Sequence, residues 1–148
     1  MNHFIDVVLP IPVNQVFTYG ISEAEYSFIK PGMRVAVPFG KKKIYTSIVN
    51  SVHTNLPVNY EVKSIYQIID EKPLINEIQL KFWVWISKYY MCSIGEVLRA
   101  AIPSILLLES ETLISVRDDL SINFEELNDE EFLIMEALEA QSPLRINE

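Results

Sequence analysis

The sequence predicts a small β-barrel capped by a pair of helices, with the beginning of a second unit behind it. Three observations predict this. Five short stretches of β-forming residues lie between Pro, Gly and Asn turns from Phe4 to Ile69. From Ile75 the apolar period changes to a helical one. The charge also divides along the chain. Residues 1–105 carry ten Lys/Arg and eight Asp/Glu, while residues 106–148 carry two and twelve, so balances of +2 and −10 make up the net −8. Such asymmetry marks two units, 1–105 and 106–148, and lets a basic site sit on the first while the second is acidic.

Phe4 to Leu9 reads as the first strand, and Pro10-Ile11-Pro12 then forces extended backbone. Val16 to Tyr19 is a second strand, ended by Gly20. Ser22 to Ile29 is a polar connection with room for a short helical turn. Pro31-Gly32 is a turn signal, and Met33, Val35 and Val37 alternate as the apolar face of a third strand. Pro38-Phe39-Gly40 is read as a break, followed by Lys41, Lys42 and Lys43. Ile44 to Val52 is the fourth strand and Val62 to Ile69 the fifth, with a loop at Asn55-Leu56-Pro57 between them.

Ile75, Ile78, Phe82, Trp85, Ile86 and Tyr89 recur at helical spacing, which predicts a helix from Ile75 to Tyr90 packed on the barrel through Trp85. Trp83 and Tyr90 lie off this face, so burial on more than one side is expected. Both tryptophans are read as core, with base stacking as the alternative. After an interruption at Ser93-Ile94-Gly95, Glu96 to Ile102 forms a second helix that ends before Pro103. Ile105 to Val116 is a β-forming connector, and Asp118-Asp119 a turn. Asn128 is suited to cap a helix whose first turn holds Asp129, Glu130 and Glu131. Phe132, Leu133, Met135 and Leu138 then form an apolar stripe. One such helix cannot bury its own face, so the second unit is read as cut short, with the stripe covered by another copy or by the first unit.

Composition limits the chemistry. A hydrophobic fraction of 49% is enough for a packed core, and no apolar run is long enough to span a bilayer. Cys92 is the sole cysteine and the two histidines have no metal-ligand spacing, so neither a disulfide framework nor a Cys-rich zinc site is expected. No secretory signal opens the chain, and a cytoplasmic location is expected. There is no Gly-x-Ser-x-Gly, no His-Glu-x-x-His and no Gly-rich loop ending in Lys-Ser/Thr. Four glycines are too few for the usual phosphate cradle. An enzyme acting alone is therefore excluded. Gly40 with Phe39 and the three lysines offers exposed backbone, a ring face and positive charge, which suits an anion or nucleic acid, while a solvated hairpin tip is the plainer reading.

Several separated motifs agree in order and spacing with a known family. These are Val7-Val8-Leu9-Pro10-Ile11-Pro12-Val13, Phe17-Thr18-Tyr19, Pro31 to Lys41, Ile48 to Val52, Val62 to Asp70, and Gly95 to Leu98 with Ala101-Ile102-Pro103. Over about the first 105 residues they resemble the opening domain of the PriA family of bacterial replication-restart (primosome) helicases. The acidic tail resembles the start of that family's winged-helix domain. The resemblance implies a mainly β fold with α, an OB-like small barrel capped by a helical hairpin and followed by a truncated winged-helix segment.

The resemblance further implies recognition of the 3′ end of the nascent leading strand at a stalled fork. Phe17 would stack on the terminal base, Gly40 would admit the terminal nucleotide to the backbone, and Lys63 would close the pocket. Thr18 stands where the family has an aspartate. Lys41, Lys42 and Lys43 are added DNA-binding candidates. No cofactor is expected here; ATP and zinc belong to the motor and the cysteine-rich module, which this sequence lacks. Partners would be forked DNA and primosome proteins, with no membrane and a possible homo-oligomer through the last helix. The competing reading is a protein-interaction module without DNA-end binding.

Overall fold

In the computed structural model, which describes residues 3–40, 43–55, 62–108, 113–116, 127–140 and 144–145, the chain divides into Met1–Ser110 and Glu111–Glu148. The first unit opens with β1 (His3–Val8), β2 (Phe17–Ile21), the short helix α1 (Glu23–Phe28), β3 (Arg34–Phe39), β4 (Lys43–His53) and the two-residue β5 (Gln67–Ile68). These strands form one antiparallel sheet in the order β2-β1-β4-β3-β5. Asp6 faces Ser51 while Val7 faces Val49, a bulge at Asn50 that bends the long β4.

The sheet curls because residues 63–69 bond to both of its edges. The Gly20 N–H donates to the Lys63 carbonyl at 2.9 Å, and the Ile65 N–H donates to the Gly20 carbonyl at 3.4 Å. Three residues on, the N–H groups of Tyr66 and Ile69 donate to the carbonyls of Ala36 and Arg34 on β3. Only Gln67 and Ile68 remain as regular strand, so the fifth strand expected over 62–69 is mostly a crossing segment that serves two partners. The curl encloses Ile5, Val7, Leu9, Tyr19, Val35, Val37 and Val49. Here the sequence and structure agree on an OB-like β fold with added helices.

A further expectation shifts at the end of β3. Pro38 and Phe39 do not break β3 but extend it, with Pro38 opposite Ile44. Pro38 is tolerated because β3 has already run past β5, which pairs only with Val35 and Ala36. Arg34 at the start of β3 makes a two-pronged contact with Asp70 (Nη2 to Oδ1, 2.7 Å) and donates through Nη1 to the Leu106 carbonyl at 3.0 Å. One side chain thus ties strand, crossing segment and the chain beyond the helices together.

α2 (Glu77–Tyr90) and α3 (Ile94–Ala101) form the expected hairpin on the outer face of the sheet. Each starts with a reciprocal capping box, Asn76 with Gln79 and Ser93 with Glu96. Ser93 is therefore a cap, and Gly95 lies inside α3 where an interruption was expected. A Cβ on Gly95 would stand 1.9 Å from the Ile11 carbonyl oxygen and 2.5 Å from that of Leu9. Glycine is what lets α3 press onto the end of β1. Val8 and Ile48 of the sheet meet Ile75, Leu80, Trp83, Val97, Leu98 and Ile102 in this second core layer. A 3₁₀ turn at Ser104–Leu106 follows.

The face of α2 is the main correction. Trp85 was expected against the barrel, yet it is 52% exposed, and Ile78, Phe82 and Tyr89 are exposed beside it. The buried positions are Leu80, Trp83 (5% exposed) and Ser87. Phe82, Trp85 and Tyr89 stack on one another along the outside, with ring centroids 5.8 and 4.9 Å apart. Ser87 belongs on the inside because its hydroxyl donates to the Cys92 carbonyl at 2.6 Å, which satisfies a carbonyl just past the helix end.

In the second unit, β6 (Leu113–Ile114) pairs antiparallel with β7 (Leu144–Arg145), and α4 (Asp129–Ala140) lies between them in sequence. Asn128 caps α4 as expected, in a reciprocal box with Glu131. Leu138 is buried, whereas Phe132, Leu133 and Ile134 are exposed. The turn expected at Asp118-Asp119 lies outside the described residues.

The two tryptophans give a direct test of this packing. Trp83→Ala should lower unfolding free energy by about 3–5 kcal/mol, as deletion of a buried aromatic does. Trp85→Ala should cost under about 1 kcal/mol. Urea unfolding of the pair measures both, and the reverse ranking would place the other face of α2 against the sheet.

Candidate functional site

Three short segments meet at one end of the barrel. β2 supplies Phe17, the turn after β3 supplies Gly40, and the crossing segment supplies Lys63. Together with Gln15, Val16, Thr18, Tyr19, Pro38 and Phe39 they line a cleft of about 470 Å³. No Asp or Glu is among these residues.

An aromatic series fixes the wall. Phe17 is half-buried and meets Phe39 edge-to-face at 5.1 Å, and Phe39 meets Tyr45 in the same way at 6.1 Å. The Tyr19 hydroxyl donates to the Pro38 carbonyl at 3.0 Å, which pins β2 to the end of β3. Gly40 has φ of +67°, a conformation that favours glycine, and a Cβ there would meet nothing within 4 Å. The turn thus needs glycine for its backbone, and open space lies in front of it. Lys63 is exposed, and its ammonium donates to the Gly40 carbonyl at 2.9 Å. That bond uses one of the three N–H groups and leaves two for a ligand.

Thr18 borders the cleft, but its hydroxyl turns the other way. Strand alternation puts it opposite Asp6 on β1, and Oγ1 donates to Asp6 Oδ1 at 2.7 Å. Ser51 Oγ donates to Asp6 Oδ2 at 3.1 Å, and His53 Nε2 lies 3.2 Å from Oδ1. Burial works to raise the Asp6 pKa. The hydrogen bonds from Thr18, His53 and Ser51 and the nearby imidazole charge outweigh it and hold the carboxyl below its ordinary value. Serine, histidine and aspartate do meet here, but Ser51 gives its proton to the carboxylate and not to the imidazole. This is a polar clasp across β2, β1 and β4, not a nucleophile with its base.

Of the residues singled out in the sequence, Phe17, Gly40 and Lys63 come together. Lys43 is exposed at the start of β4, opposite Phe39, and does not line the cleft. Lys41 and Lys42 lie outside the described residues. Phe39 was read as a ring face beside Gly40, but not as a neighbour of Phe17, and Tyr19 was not read as a site residue. Their alternation with Val37 and with Phe17 in sequence was the available signal. Among the described residues no three His, Cys, Asp or Glu side chains cluster as metal ligands, and no helix is long and apolar enough to cross a membrane.

The first unit is thus a curled five-stranded sheet with an aromatic cleft at one end, and comparison with known proteins gives its family. The model of the PriA 3′DNA-binding domain (3′BD) matches residues 6–103, so this chain belongs to that family. It is similar to the replication restart protein PriA of Haemophilus influenzae, 34% identical over 100 residues, covering 67% of this chain and 13% of that protein. It is also similar to that of Buchnera aphidicola from Acyrthosiphon pisum, 31% identical over 102 residues, covering 69% and 14%. For the Treponema pallidum protein of the same name the identity is 27% over 109 residues, covering 70% and 16%. The chain thus spans about a sixth or less of the length of these relatives.

The clasp at Asp6 generates a pH prediction. A carboxyl with a lowered pKa in the fold contributes stability that is complete above its unfolded value, near pH 3.9, and is lost as pH falls through the folded value. Thr18→Val removes one donor at nearly constant volume. It should cost about 1 kcal/mol at pH 7 and progressively less below about pH 4. Denaturant unfolding across that range checks it, and a cost independent of pH would mean that the hydroxyl matters only for packing.

Proposed function

We propose that the first unit binds the 3′ end of a DNA strand, that of the nascent leading strand at a stalled replication fork, with little regard to the terminal base. The observation that carries this reading is the cleft, which gathers a ring face, open backbone and a cation from residues 17, 40 and 63, with no carboxylate among the described residues that line it. A phenyl face stacks on any base, so Phe17 supplies affinity without base choice. The space before Gly40 admits a terminal sugar close to the backbone. Lys63 supplies charge to the adjoining phosphate, which positions a nucleotide without reading its sequence. Thr18 acts from behind, holding β2 to β1 through Asp6. The family's name and that of its relatives support the same reading.

The chain itself acts by binding and not by catalysis. In the full-length protein it would present a fork to an ATP-dependent 3′–5′ DNA helicase with a zinc module, with residues 106–148 opening a winged-helix domain. A second reading, a module that docks primosome proteins, is favoured by one feature, the exposed ridge of Ile78, Phe82, Trp85 and Tyr89 on α2. Salt separates the two. DNA held through lysines is released as salt rises, whereas apolar docking is not.

The test compares one fluorescent strand with a 3′-hydroxyl and the same strand with a 3′-phosphate. The phosphate adds bulk in the cleft, at a cost of about 1–3 kcal/mol by overpacking, against about 1 kcal/mol of attraction to an exposed lysine. The hydroxyl strand should therefore bind more tightly. Phe17→Ala should weaken it by about 1–3 kcal/mol and Lys63→Ala by about 1 kcal/mol. Gly40→Asn keeps a residue that tolerates positive φ but fills the space in front of the turn, so it should abolish the preference for an end. Equal binding of both strands with all three variants silent would overturn the reading.

A further inference from the structure

A second cleft of about 490 Å³ adjoins the first, and the two share Gln15 and Val16 as a common wall. Its near side is the connection between β1 and β2, through Asn14, Gln15 and Val16. Its far side is the last turns of α2, through Val84, Ser87 and Lys88. We propose that this cleft holds the sugar-phosphate backbone of the nucleotides just 5′ of the terminal one, with Lys88 contacting a phosphate. The proposal rests on the end-binding reading above and deepens it.

Three observations carry it. The first is continuity, because a strand whose last nucleotide fills the first cleft needs a way out, and the second cleft shares Gln15 and Val16 with the first. Both residues are exposed. The second is charge. The chain as a whole carries −8, yet neither cleft has an Asp or Glu in its lining, and each has one lysine, Lys63 in the first and Lys88 in the second. Among the described residues, a polyanion meets cations along this path and no carboxylate. The third is availability. The Lys88 ammonium and the amides of Asn14 and Gln15 have no hydrogen-bond or ion-pair partner among the described residues. The Ser87 hydroxyl, by contrast, is committed to the Cys92 carbonyl. Lys88 and the two amides are thus free donors, of the kind that bind phosphate and sugar oxygens.

The experiment uses oligothymidylates with a free 3′-hydroxyl, of two and of six nucleotides, and the whole 148-residue chain. The unchanged chain should bind the hexamer more tightly than the dimer. Lys88→Ala should weaken the hexamer by about three- to tenfold and leave the dimer unchanged, and it should reduce the salt slope for the hexamer by about 0.7, the value of one single-strand phosphate contact. Lys81→Ala, on the same helix but outside the cleft, should change neither. Lys88→Arg should retain most of the gain. Hexamer binding and salt slope unchanged by Lys88→Ala would overturn the second cleft while leaving the end site standing. Equal losses with Lys81→Ala and Lys88→Ala would overturn it too, in favour of a diffuse field. If instead the dimer binds no better with a 3′-hydroxyl than with a 3′-phosphate and Phe17→Ala is silent, the end site itself fails, and the second cleft falls with it.

Discussion

The structure depends on one crossing. Gly20 in β2 exchanges two backbone hydrogen bonds with residues 63–65, and the same segment goes on to bond β3. Without that exchange the sheet would stay open, with β2 and β5 as free edges. With it, the edges meet, and a lysine 43 positions after Gly20 in the chain arrives over the Gly40 turn. The Lys63 carbonyl is the closing acceptor, and the Lys63 ammonium is the cation of the cleft. Closing the fold and assembling the site are the same event. The Arg34–Asp70 pair secures the far end of that segment against β3.

The two cores have separate tasks. The inner one, with Ile5, Val7, Val35 and Val49, sets the curl. The outer one, where Trp83, Leu98 and Ile102 meet Val8 and Ile48, holds the hairpin on the sheet. The close approach of Gly95 to the Leu9 and Ile11 carbonyls brings α3 against the Pro10-Ile11-Pro12 segment. The hairpin in this way steadies the connection that leads into Phe17. Polar residues hold the remaining outer surface, where Asp6 gathers Thr18, Ser51 and His53 across three strands.

Much of this was legible in the residues. The alternation of Val35 and Val37, the Pro31-Gly32 turn and the helical period after Ile75 all point to the right elements, and Asn128 marks the start of α4. The face of α2 was not legible, because the helix is apolar on two sides. Ile78, Phe82, Trp85 and Tyr89 make the stronger pattern, yet the buried side includes Ser87, whose polarity is hidden by its bond to Cys92. The shortness of β5 was hidden too, since β-forming residues do not reveal that a segment will split its hydrogen bonds between two strands. At the candidate site, the resemblance pointed to Phe17, Gly40 and Lys63, which the fold brings into one cleft, but the aromatic support from Phe39 and the turn of Thr18 toward Asp6 needed the register of β1, β2 and β4.

The central claim is that a strand end enters the cleft at Phe17, Gly40 and Lys63. It is tested most directly by following backbone amide resonances of the isotope-labelled chain while a 3′-hydroxyl dinucleotide is added. The account predicts that the largest shifts fall at Gln15 to Tyr19, Phe39, Gly40 and Lys63 to Ile65, with little change in α4 or along the ridge of α2. Shifts confined to Ile78, Phe82, Trp85 and Tyr89, with residues 17, 40 and 63 unmoved, would contradict it.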